Sequence, residues 1–359
     1  MKVPTWLRWL LSPLGVPYRI FMRARAAAYS RGWLRAERLP GTVISVGNLS
    51  VGGTGKTPMV ERLATWLGQR GLHVAILTRG YGRRERLPLV VNGQGEISKY
   101  TAELMGDEPI LLARHLPRVT LGIGADRFSL AQQIIQLESP HPPDVFLLDD
   151  GFQHLRLARD LDLVLLDASA PLATEAVLPA GRLREPLGAL ARADLIVLTR
   201  TADPDKVGAL LEVVQRHNPR APVFCAATKL VGVFDAATHR AANLFVLKQQ
   251  PVLGFCGVGN PDAFWDDLRR WGFDLVGTLA FRDHHRYTID DFKQIVHRAD
   301  RAGARVLLTT EKDAVNLTVV PPSIPPCFYC RIELALDNEA AFFAAVAERL
   351  SRSVGTRSS

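Results

Sequence analysis

Short apolar runs that suit strands alternate along the chain with longer stretches that suit helices. Apolar runs of this kind are typical of strands in a mostly parallel sheet that helices cover on both faces. The pattern therefore predicts an α/β fold. The first group of predicted strands comprises residues 42–46, 73–78, 117–121, 144–148, 161–166 and 194–198.

The pattern changes after Pro222, where a predicted strand near 223–234 leads into a second group. We interpret this group as a smaller second α/β domain, with the boundary near residue 225. Its other strands are predicted at 252–257, 274–279, 305–310 and 327–334, with helices at 261–271 and 290–302.

The predicted organisation has four parts. They are an N-terminal segment over 1–35, a first domain over 36–225, a second domain over 226–345 and a tail over 346–359. The tail is rich in Ser and Arg from about Ser351, and we expect it to be flexible.

The positive charge of the chain is concentrated in its first 38 residues. This segment contains eight basic residues and a single acidic one, Glu37, so it carries +7 of the net charge of +8. The rest of the chain is nearly neutral, which argues against a surface that binds nucleic acid throughout. The basic residues are Lys2, Arg8, Arg19, Arg23, Arg25, Arg31, Arg35 and Arg38.

The same segment combines aromatic and apolar residues with these arginines. Arg8, Pro13 and Pro17 interrupt each apolar run, so no stretch reaches the roughly 20 residues of a membrane-spanning helix. A secretory signal would not remain basic to its end. Aromatic residues and arginines at helical spacing favour a helix lying in the headgroup layer of an anionic membrane. The alternative is a helix packed on the protein's own core.

A glycine-rich stretch, 47–57, follows the first predicted strand and reads Gly-Asn-Leu-Ser-Val-Gly-Gly-Thr-Gly-Lys-Thr. A strand, a glycine-rich turn and a helix together direct several backbone N–H groups at one point, where they bind polyphosphate. Ser50 stands where the general pattern has Gly. In this motif the lysine reaches the β/γ-phosphates and the threonine is an Mg²⁺ ligand. The predicted nucleotide-binding residues are Gly52, Gly53, Thr54, Gly55, Lys56 and Thr57.

Two carboxylates, Asp149 and Asp150, end the predicted strand at 144–148. Ligands of parallel sheets bind at the carboxyl ends of the strands. This places the pair beside the phosphate loop, where they suit Mg²⁺. Other strands end in arginine-rich loops at 79–84, 122–127 and 178–186, which suits a second anionic group.

Two further clusters are candidates for acid–base chemistry, and a third stretch is a candidate for contact with the nucleotide base. Asp107 stands just before a helical stretch, where helix capping is the simpler interpretation. Asp283, His284 and His285 form a cluster that suits proton transfer. The stretch 309–313, Thr-Thr-Glu-Lys-Asp, resembles a Lys/Asp pair that reads a nucleotide base, but a capped helix start with surface charge is the favoured interpretation.

Together these motifs resemble the tetraacyldisaccharide 4'-kinases of lipid A biosynthesis. The resemblance runs from the N-terminal segment to about residue 345, and its most specific parts are the Asp-Asp-Gly-Phe-Gln-His stretch at 149–154 and the Asp-His-His stretch at 283–285. It implies two α/β/α domains joined by a two-stranded linker. It also implies transfer of the γ-phosphate of ATP, with Mg²⁺, to the 4'-hydroxyl of a tetraacylated glucosamine disaccharide 1-phosphate.

By this resemblance Asp107 is the catalytic base, polarised by a histidine of the 284–285 pair, with His285 preferred over His284. Lys56, Thr57, Asp149 and Asp150 serve the nucleotide and Mg²⁺. The residues that would line the acceptor site are Asn48, Tyr81, Arg127, Gln153, Arg184 and Glu185. The implied location is the cytoplasmic face of the bacterial inner membrane, with no obligate protein partner and no nucleic acid.

A second function remains compatible with the residues. The variant phosphate loop and the Thr-Glu-Lys-Asp stretch at 310–313 are also compatible with a switch ATPase or GTPase that docks on a membrane and drives assembly of a partner protein. Such a protein would hydrolyse nucleotide without a phosphorylated small product. A membrane-tethering module without activity leaves the Asp-Asp and Asp-His-His clusters without a role.

Overall fold

The computed structural model describes residues 5–84, 87–92, 99–170, 172, 175–317 and 325–357, with side chains described between residues 11 and 352 of these ranges. The described residues form twelve strands in one sheet. The strands are β1 (Thr42–Asn48), β2 (Val74–Thr78), β3 (Leu89–Val91), β4 (Thr120–Ile123), β5 (Val145–Asp149), β6 (Leu161–Asp167), β7 (Leu195–Thr199), β8 (Val223–Asp235), β9 (Pro251–Cys256), β10 (Asp274–Ala280), β11 (Val306–Thr310) and β12 (Cys327–Leu336).

The helices of the same residues flank this sheet. They are α1 (Thr5–Ser30), α2 (Lys56–Gly68), α3 (Ala102–Met105), α4 (Asp107–His115), α5 (Arg127–Leu137), α6 (Pro204–His217), α7 (Leu244–Lys248), α8 (Pro261–Arg270), α9 (Ile289–Ala302), α10 (Glu311–Ala314) and α11 (Glu339–Arg357), with a short 3₁₀ helix at Leu187–Arg192. The predicted α/β class is confirmed.

The strand order is β10-β9-β11-β12-β8-β7-β6-β1-β5-β2-β4-β3. Neighbouring strands are parallel except for β3 with β4 and β8 with β12. The central strand β1 lies between β5 and β6, and every residue of β5, β6 and β7 is buried. This burial explains why these strands read as continuous apolar runs, because helices cover both faces of a parallel sheet.

The long antiparallel strands β8 and β12 join two parts of the molecule. We call β1–β7 with α2–α6 and α11 the first lobe, and β9–β11 with α7–α10 the second lobe. The two-stranded linker implied by the resemblance is thus confirmed. Because β8 and β12 run in opposite directions, loops after the strands of both lobes can face one shared cleft.

The C-terminal helix α11 differs from the predicted domain boundaries. Phe342, Phe343 and Val346 are buried in the core of the first lobe, and Phe343 stacks on Trp66 of α2 with ring centroids 4.7 Å apart. The chain therefore returns to the first lobe after β12. Residues 346–357, predicted as part of a flexible tail, continue this helix.

The N-terminal helix α1 contains Pro13 and Pro17. Its contacts with the first lobe include Tyr18 and Arg25, whose side chains donate hydrogen bonds to the carbonyl oxygens of Arg184 (2.8 Å) and Gln153 (3.1 Å). Among the described residues, no helix has an apolar stretch long enough to cross a membrane.

Candidate active site

The glycine-rich loop connects β1 to α2 in the geometry that the sequence predicts. Gly55 precedes α2 with φ +85°, and Gly52 has φ +126°, conformations that glycine adopts readily. The Asn48 side chain donates to the Thr54 hydroxyl at 3.0 Å and so holds the loop from inside. The N-terminus of α2, with its free N–H groups and positive dipole end, is thereby open to an anion.

The serine in this loop has a simple structural reason. Ser50 forms a bridge with Leu183, and the neighbouring Val51 N–H donates to the Arg182 carbonyl at 2.8 Å. Ser50 is not among the residues with positive φ, so its backbone does not require glycine. The loop 178–186 therefore supports the phosphate loop from the side.

The paired carboxylates at the end of β5 differ in environment. Asp149 accepts a hydrogen bond from the Thr78 hydroxyl at 3.1 Å through Oδ2, while its buried Oδ1 has no hydrogen-bond partner. Burial, with the negative charges of Glu108 and Asp150, raises the pKa of Asp149 to about 7. An unpartnered buried carboxylate oxygen at this position suits a cation.

Asp150 has positive φ (+55°), which is uncommon outside glycine and turns its side chain toward the phosphate loop. Its carboxylate lies 3.5 Å from Lys56 Nζ and 2.6 Å from an Arg184 nitrogen. Burial alone would raise the pKa of Asp150, but the charges of Lys56 and Arg184 outweigh it and lower the pKa.

These groups fit an Mg²⁺–nucleotide complex. Asp149 and Asp150 supply oxygen ligands beside the phosphate loop, and Thr57 in the first turn of α2 lines the same cavity. The described residues contain no cluster of three or more His, Cys, Asp or Glu side chains that would hold a metal alone. This agrees with the usual behaviour of Mg²⁺, which binds through one or two carboxylates together with substrate phosphates and water.

Asp107 begins α4 of the first lobe and pairs with His284 of the second lobe. It is 3% exposed, and His284 Nδ1 approaches its carboxylate oxygens at 2.8 and 3.0 Å. Burial would raise the pKa of Asp107, but the hydrogen bond from His284 and the charge of Lys312 lower it overall. Correspondingly, the hydrogen bond to Asp107 raises the pKa of His284 against the effect of burial.

Asp107 is not a helix cap. It is the first residue of α4, the capping position belongs to Gly106, and the carboxylate faces His284. The prediction of a base position, derived from the resemblance, is therefore consistent with its surroundings. Asp107 stands behind the cavity wall, which Glu108 and His284 line directly.

The prediction that His285 contacts Asp107 was wrong. His284 contacts Asp107 instead. His285 Nε2 lies 3.1 Å from Asp291 on α9, and the ring of His285 stacks on that of Phe281. His284 has φ +59°, so the backbone reverses direction between the two residues and their side chains diverge. Adjacent residues in a sequence give no indication of such a local turn.

Lys312 was interpreted as surface charge, and the structure corrects this. Its ammonium lies 3.2 Å from Glu108, 3.6 Å from Asp283 and 3.8 Å from Asp107. Burial alone would lower the pKa of this lysine, but the three carboxylates outweigh burial and raise the pKa above its ordinary value. The capping part of the prediction is confirmed, since Thr310 accepts from the Asp313 N–H and caps α10.

The other predicted residues cluster on the first-lobe side. Gln153 donates to the Asn48 carbonyl at 3.0 Å and to Glu185 at 3.1 Å, and Glu185 also pairs with Arg192 at 2.9 Å. The Arg127 side chain is buried, and one of its terminal nitrogens donates to the Ala125 carbonyl. Arg79 donates to the Tyr81 hydroxyl at 2.9 Å at the cleft entrance.

A cavity of about 840 Å³ connects these groups. It is lined from the first lobe by the phosphate loop, Tyr81, Arg127, Gln153 and Arg184, and from the second lobe by residues after β9, β10 and β11. Tyr18 and Arg25 of α1 also line it, although sequence analysis did not single them out as site residues. A helix predicted to lie on a membrane gives no sequence signal for these internal contacts.

Comparison with known proteins identifies the family. The family model of the tetraacyldisaccharide-1-P 4'-kinases matches residues 7–351. This chain is a member of that family. The tetraacyldisaccharide 4'-kinase of Geobacter metallireducens is 42% identical over 340 residues, covering 94% of this chain and 96% of the relative.

Further members of the kinase family agree in sequence and fold. The tetraacyldisaccharide 4'-kinase of Pelobacter propionicus is 41% identical over 308 residues, covering 86% of this chain and 82% of the relative. A crystal structure of LpxK from Aquifex aeolicus in complex with ATP superimposes with a TM-score of 0.72 at 31% identity, covering 96% of this chain and 99% of that one. The family comparison does not favour the switch-NTPase alternative.

Proposed function

We propose that this protein transfers the γ-phosphate of ATP to the 4'-hydroxyl of a tetraacylated glucosamine disaccharide 1-phosphate, a step in lipid A biosynthesis. One observation carries the mechanistic part: the buried Asp107 belongs to the lobe that also holds Lys56 and the carboxylates after β5, and His284 of the second lobe lies 2.8 Å from it. A buried, oriented carboxylate suits general-base catalysis, in which it takes the proton of the acceptor hydroxyl during phosphoryl transfer.

The phosphate loop and its lysine hold the nucleotide in this proposal. Phosphoryl transfer depends mainly on positioning and on neutralising charge. Lys56 and the N–H groups at the start of α2 supply positive charge for the β- and γ-phosphates. Arg184, which already pairs with Asp150, stands close enough to contribute to the same field.

Thr57, Asp149 and Asp150 would hold Mg²⁺. The unpartnered Oδ1 of Asp149 and the position of Asp150 beside Lys56 support this assignment. Bound there, Mg²⁺ would neutralise phosphate charge and orient the γ-phosphate.

Asp107 acts as the base for the acceptor. It takes the proton of the 4'-hydroxyl as the oxygen forms a bond to phosphorus, and the bond from phosphorus to the β,γ-bridging oxygen breaks to release ADP. The His284 N–H holds the carboxylate in orientation, and Lys312 favours its ionised form through the lowered pKa. His284 is thus a positioning residue.

The lipid acceptor reaches the cleft from a membrane surface. Ile20 and Phe21 of α1 are 61% and 62% exposed, while Tyr18 and Arg25 of the same helix contact the site loops. A basic helix with exposed apolar residues suits the headgroup layer of an anionic membrane. The proposed location is the cytoplasmic face of the inner membrane, and the reaction requires neither nucleic acid nor an obligate protein partner.

The test is transfer of labelled γ-phosphate from ATP to a lipid A disaccharide 1-phosphate in detergent micelles with Mg²⁺. We expect a labelled lipid whose new phosphate is on the 4'-oxygen, and no labelled lipid with Lys56→Ala. Release of free phosphate without labelled lipid, from folded protein, would contradict the proposal and support a switch NTPase.

A further inference from the structure

A histidine away from the proton-transfer pair joins three helices at the back of the cleft. The His115 side chain is 9% exposed, and its Nδ1 lies 2.9 Å from Glu61 while its Nε2 lies 2.9 Å from Glu311. Glu61 belongs to α2 and Glu311 begins α10 of the second lobe. His115 itself is the last residue of α4.

The two contacts require a charged imidazole ring. A neutral imidazole carries one N–H and could donate to only one of the carboxylates, whereas the imidazolium donates to both. Burial lowers the pKa of His115, but the hydrogen bonds and charges of Glu311 and Glu61 raise it to about 9. His115 is therefore positively charged at neutral pH.

The arrangement does not suit a metal ion. The carboxylates approach opposite edges of the ring, so no point lies within ligand distance of all three side chains. Two other charged groups on these helices have partners of their own: Arg62 of α2 pairs with Glu339, and Lys312 of α10 pairs with Glu108 of α4. On β12, burial and the charge of Glu311 raise the pKa of Tyr329, while the charge of Arg114 of α4 acts in the opposite direction.

Each helix that meets at His115 also carries a residue of the site. Lys56 and Thr57 begin α2, Asp107 begins α4, and Lys312 follows Glu311 on α10 and contacts Asp107. The histidine thus lies where the position of the phosphate loop, the base and the second lobe are mechanically connected.

We propose that His115 is a positioning residue for phosphoryl transfer. It ties the phosphate-loop helix to the second lobe through its two carboxylate partners, and so sets the distance between the γ-phosphate and Asp107. This inference rests on the proposed function and assigns a role to a residue pattern that sequence analysis did not single out.

The first test compares His115→Gln with a matched control. His73→Gln removes a histidine that lies 3.4 Å from Glu138 in the first lobe, outside the cavity lining. We expect His115→Gln to lower kcat for the lipid about tenfold, as loss of a charge-assisted hydrogen bond would, with ATP affinity changed less than twofold. Hydrogen exchange at 306–317 should rise in this variant and stay unchanged in His73→Gln.

The pH profile separates this role from a general effect on folding. The folded-state pKa of His115, about 9, is above its ordinary value of 6.5. The ionic tie is therefore complete below pH 6.5 and is lost as the pH rises through about 9. In the wild type, kcat should contain a falling component through this range, and His115→Gln should lack it.

A double-mutant cycle with Glu311→Gln completes the test. If the charge pair carries the effect, the double variant should be no slower than His115→Gln alone. Additive losses, or unchanged kcat and exchange in His115→Gln, would overturn the inference. Should His115→Gln not fold, Glu311→Gln alone must show the raised exchange at 306–317. The exchange readout needs no lipid, so it remains valid even if the lipid is not the substrate.

Discussion

The two sides of the cleft are built by different means. On the first-lobe side, the phosphate loop follows β1, Asp149 and Asp150 lie at the end of β5, and the residues of the loop line the cavity. The second lobe contributes side chains that act by contacting carboxylates of the first lobe. His284 contacts Asp107, and Lys312 contacts Glu108.

This difference divides the chemistry. The nucleotide can be held by the first lobe, because the phosphate loop, Asp149 and Asp150 all belong to it. The base is oriented only when the second lobe is in place, because its hydrogen-bond partner comes from the other side of the linker. Variants on the two sides should therefore separate nucleotide binding from turnover.

The largest expected effect comes from Asp107→Asn. This change keeps the size of the side chain but removes its ability to accept a proton. We expect kcat to fall about 10²–10⁴-fold, the usual contribution of a positioned base, while ATP affinity stays within about twofold. The measurement is steady-state transfer of labelled phosphate to lipid, with ATP binding measured by titration calorimetry.

Asp203→Asn is the matched control for this variant. Asp203 caps α6 in the first lobe, and Asn is an equally good cap. Its kcat should equal that of the wild type. If Asp107→Asn lost ATP affinity in proportion to kcat, Asp107 would be a structural residue and the division between the two sides would fail.

The next effect distinguishes the adjacent histidines. His284→Asn removes the hydrogen bond to Asp107, and Asn tolerates the positive φ at this position. Loss of a hydrogen bond to a charged group predicts a decrease in kcat of roughly 10–100-fold. His285→Asn, whose parent side chain faces Asp291, should decrease kcat less than threefold. A reversed order of these two variants would contradict the geometry described above.

A smaller effect is expected at the membrane-facing helix. Replacing Ile20 and Phe21 together by serine removes exposed apolar surface without touching Tyr18 or Arg25. Partial burial of two such side chains in lipid predicts about a tenfold loss of binding to anionic vesicles. Phe245→Ser, at a residue 73% exposed in the second lobe, is the control and should bind like the wild type.

Two further results decide whether α1 carries the membrane contact. ATP binding should be the same in all three proteins, since the changes lie outside the cavity lining. Unchanged vesicle binding by the Ile20/Phe21 variant in a co-sedimentation measurement would show that α1 does not carry the membrane contact.

The smallest effect is a pH-dependent stability difference of a few degrees. The pKa of His284 is raised above its ordinary value of 6.5 by Asp107, so the stability that its charge contributes is full below pH 6.5 and is lost at higher pH. The gap in Tm between the wild type and His284→Asn should therefore narrow as the pH rises above 6.5 and through the raised pKa of His284. A constant gap across this range, in scanning calorimetry, would mean that the charge of His284 contributes nothing.

Sequence analysis located the parts of the molecule that local patterns determine. The parallel strands were predicted within a few residues of their observed bounds, because burial on both faces leaves continuous apolar runs. The five residues 52–56, Gly-Gly-Thr-Gly-Lys, predict both the glycine-rich turn and the start of α2. The three-residue strand β3 was missed, since so short an edge strand leaves no periodic pattern.

The parts that depend on tertiary contact could not be predicted in the same way. The positive φ of His284 decides which histidine meets Asp107. Lys312 looks like surface charge until α10 packs against α4, and the two carboxylate partners of His115 come from helices about 50 and 200 residues away in sequence. Likewise, α11 follows the second lobe in sequence yet packs in the first.

The central claim is that Asp107 and His284 act as one unit across the cleft. The most direct measurement is single-turnover transfer of labelled γ-phosphate to the disaccharide 1-phosphate by wild type, Asp107→Asn, His284→Asn and the double variant, at saturating ATP and lipid. Because His284 acts only through Asp107, the double variant should be no slower than Asp107→Asn alone. Rate losses that multiply in the double variant would contradict the account, since the two residues would then act independently.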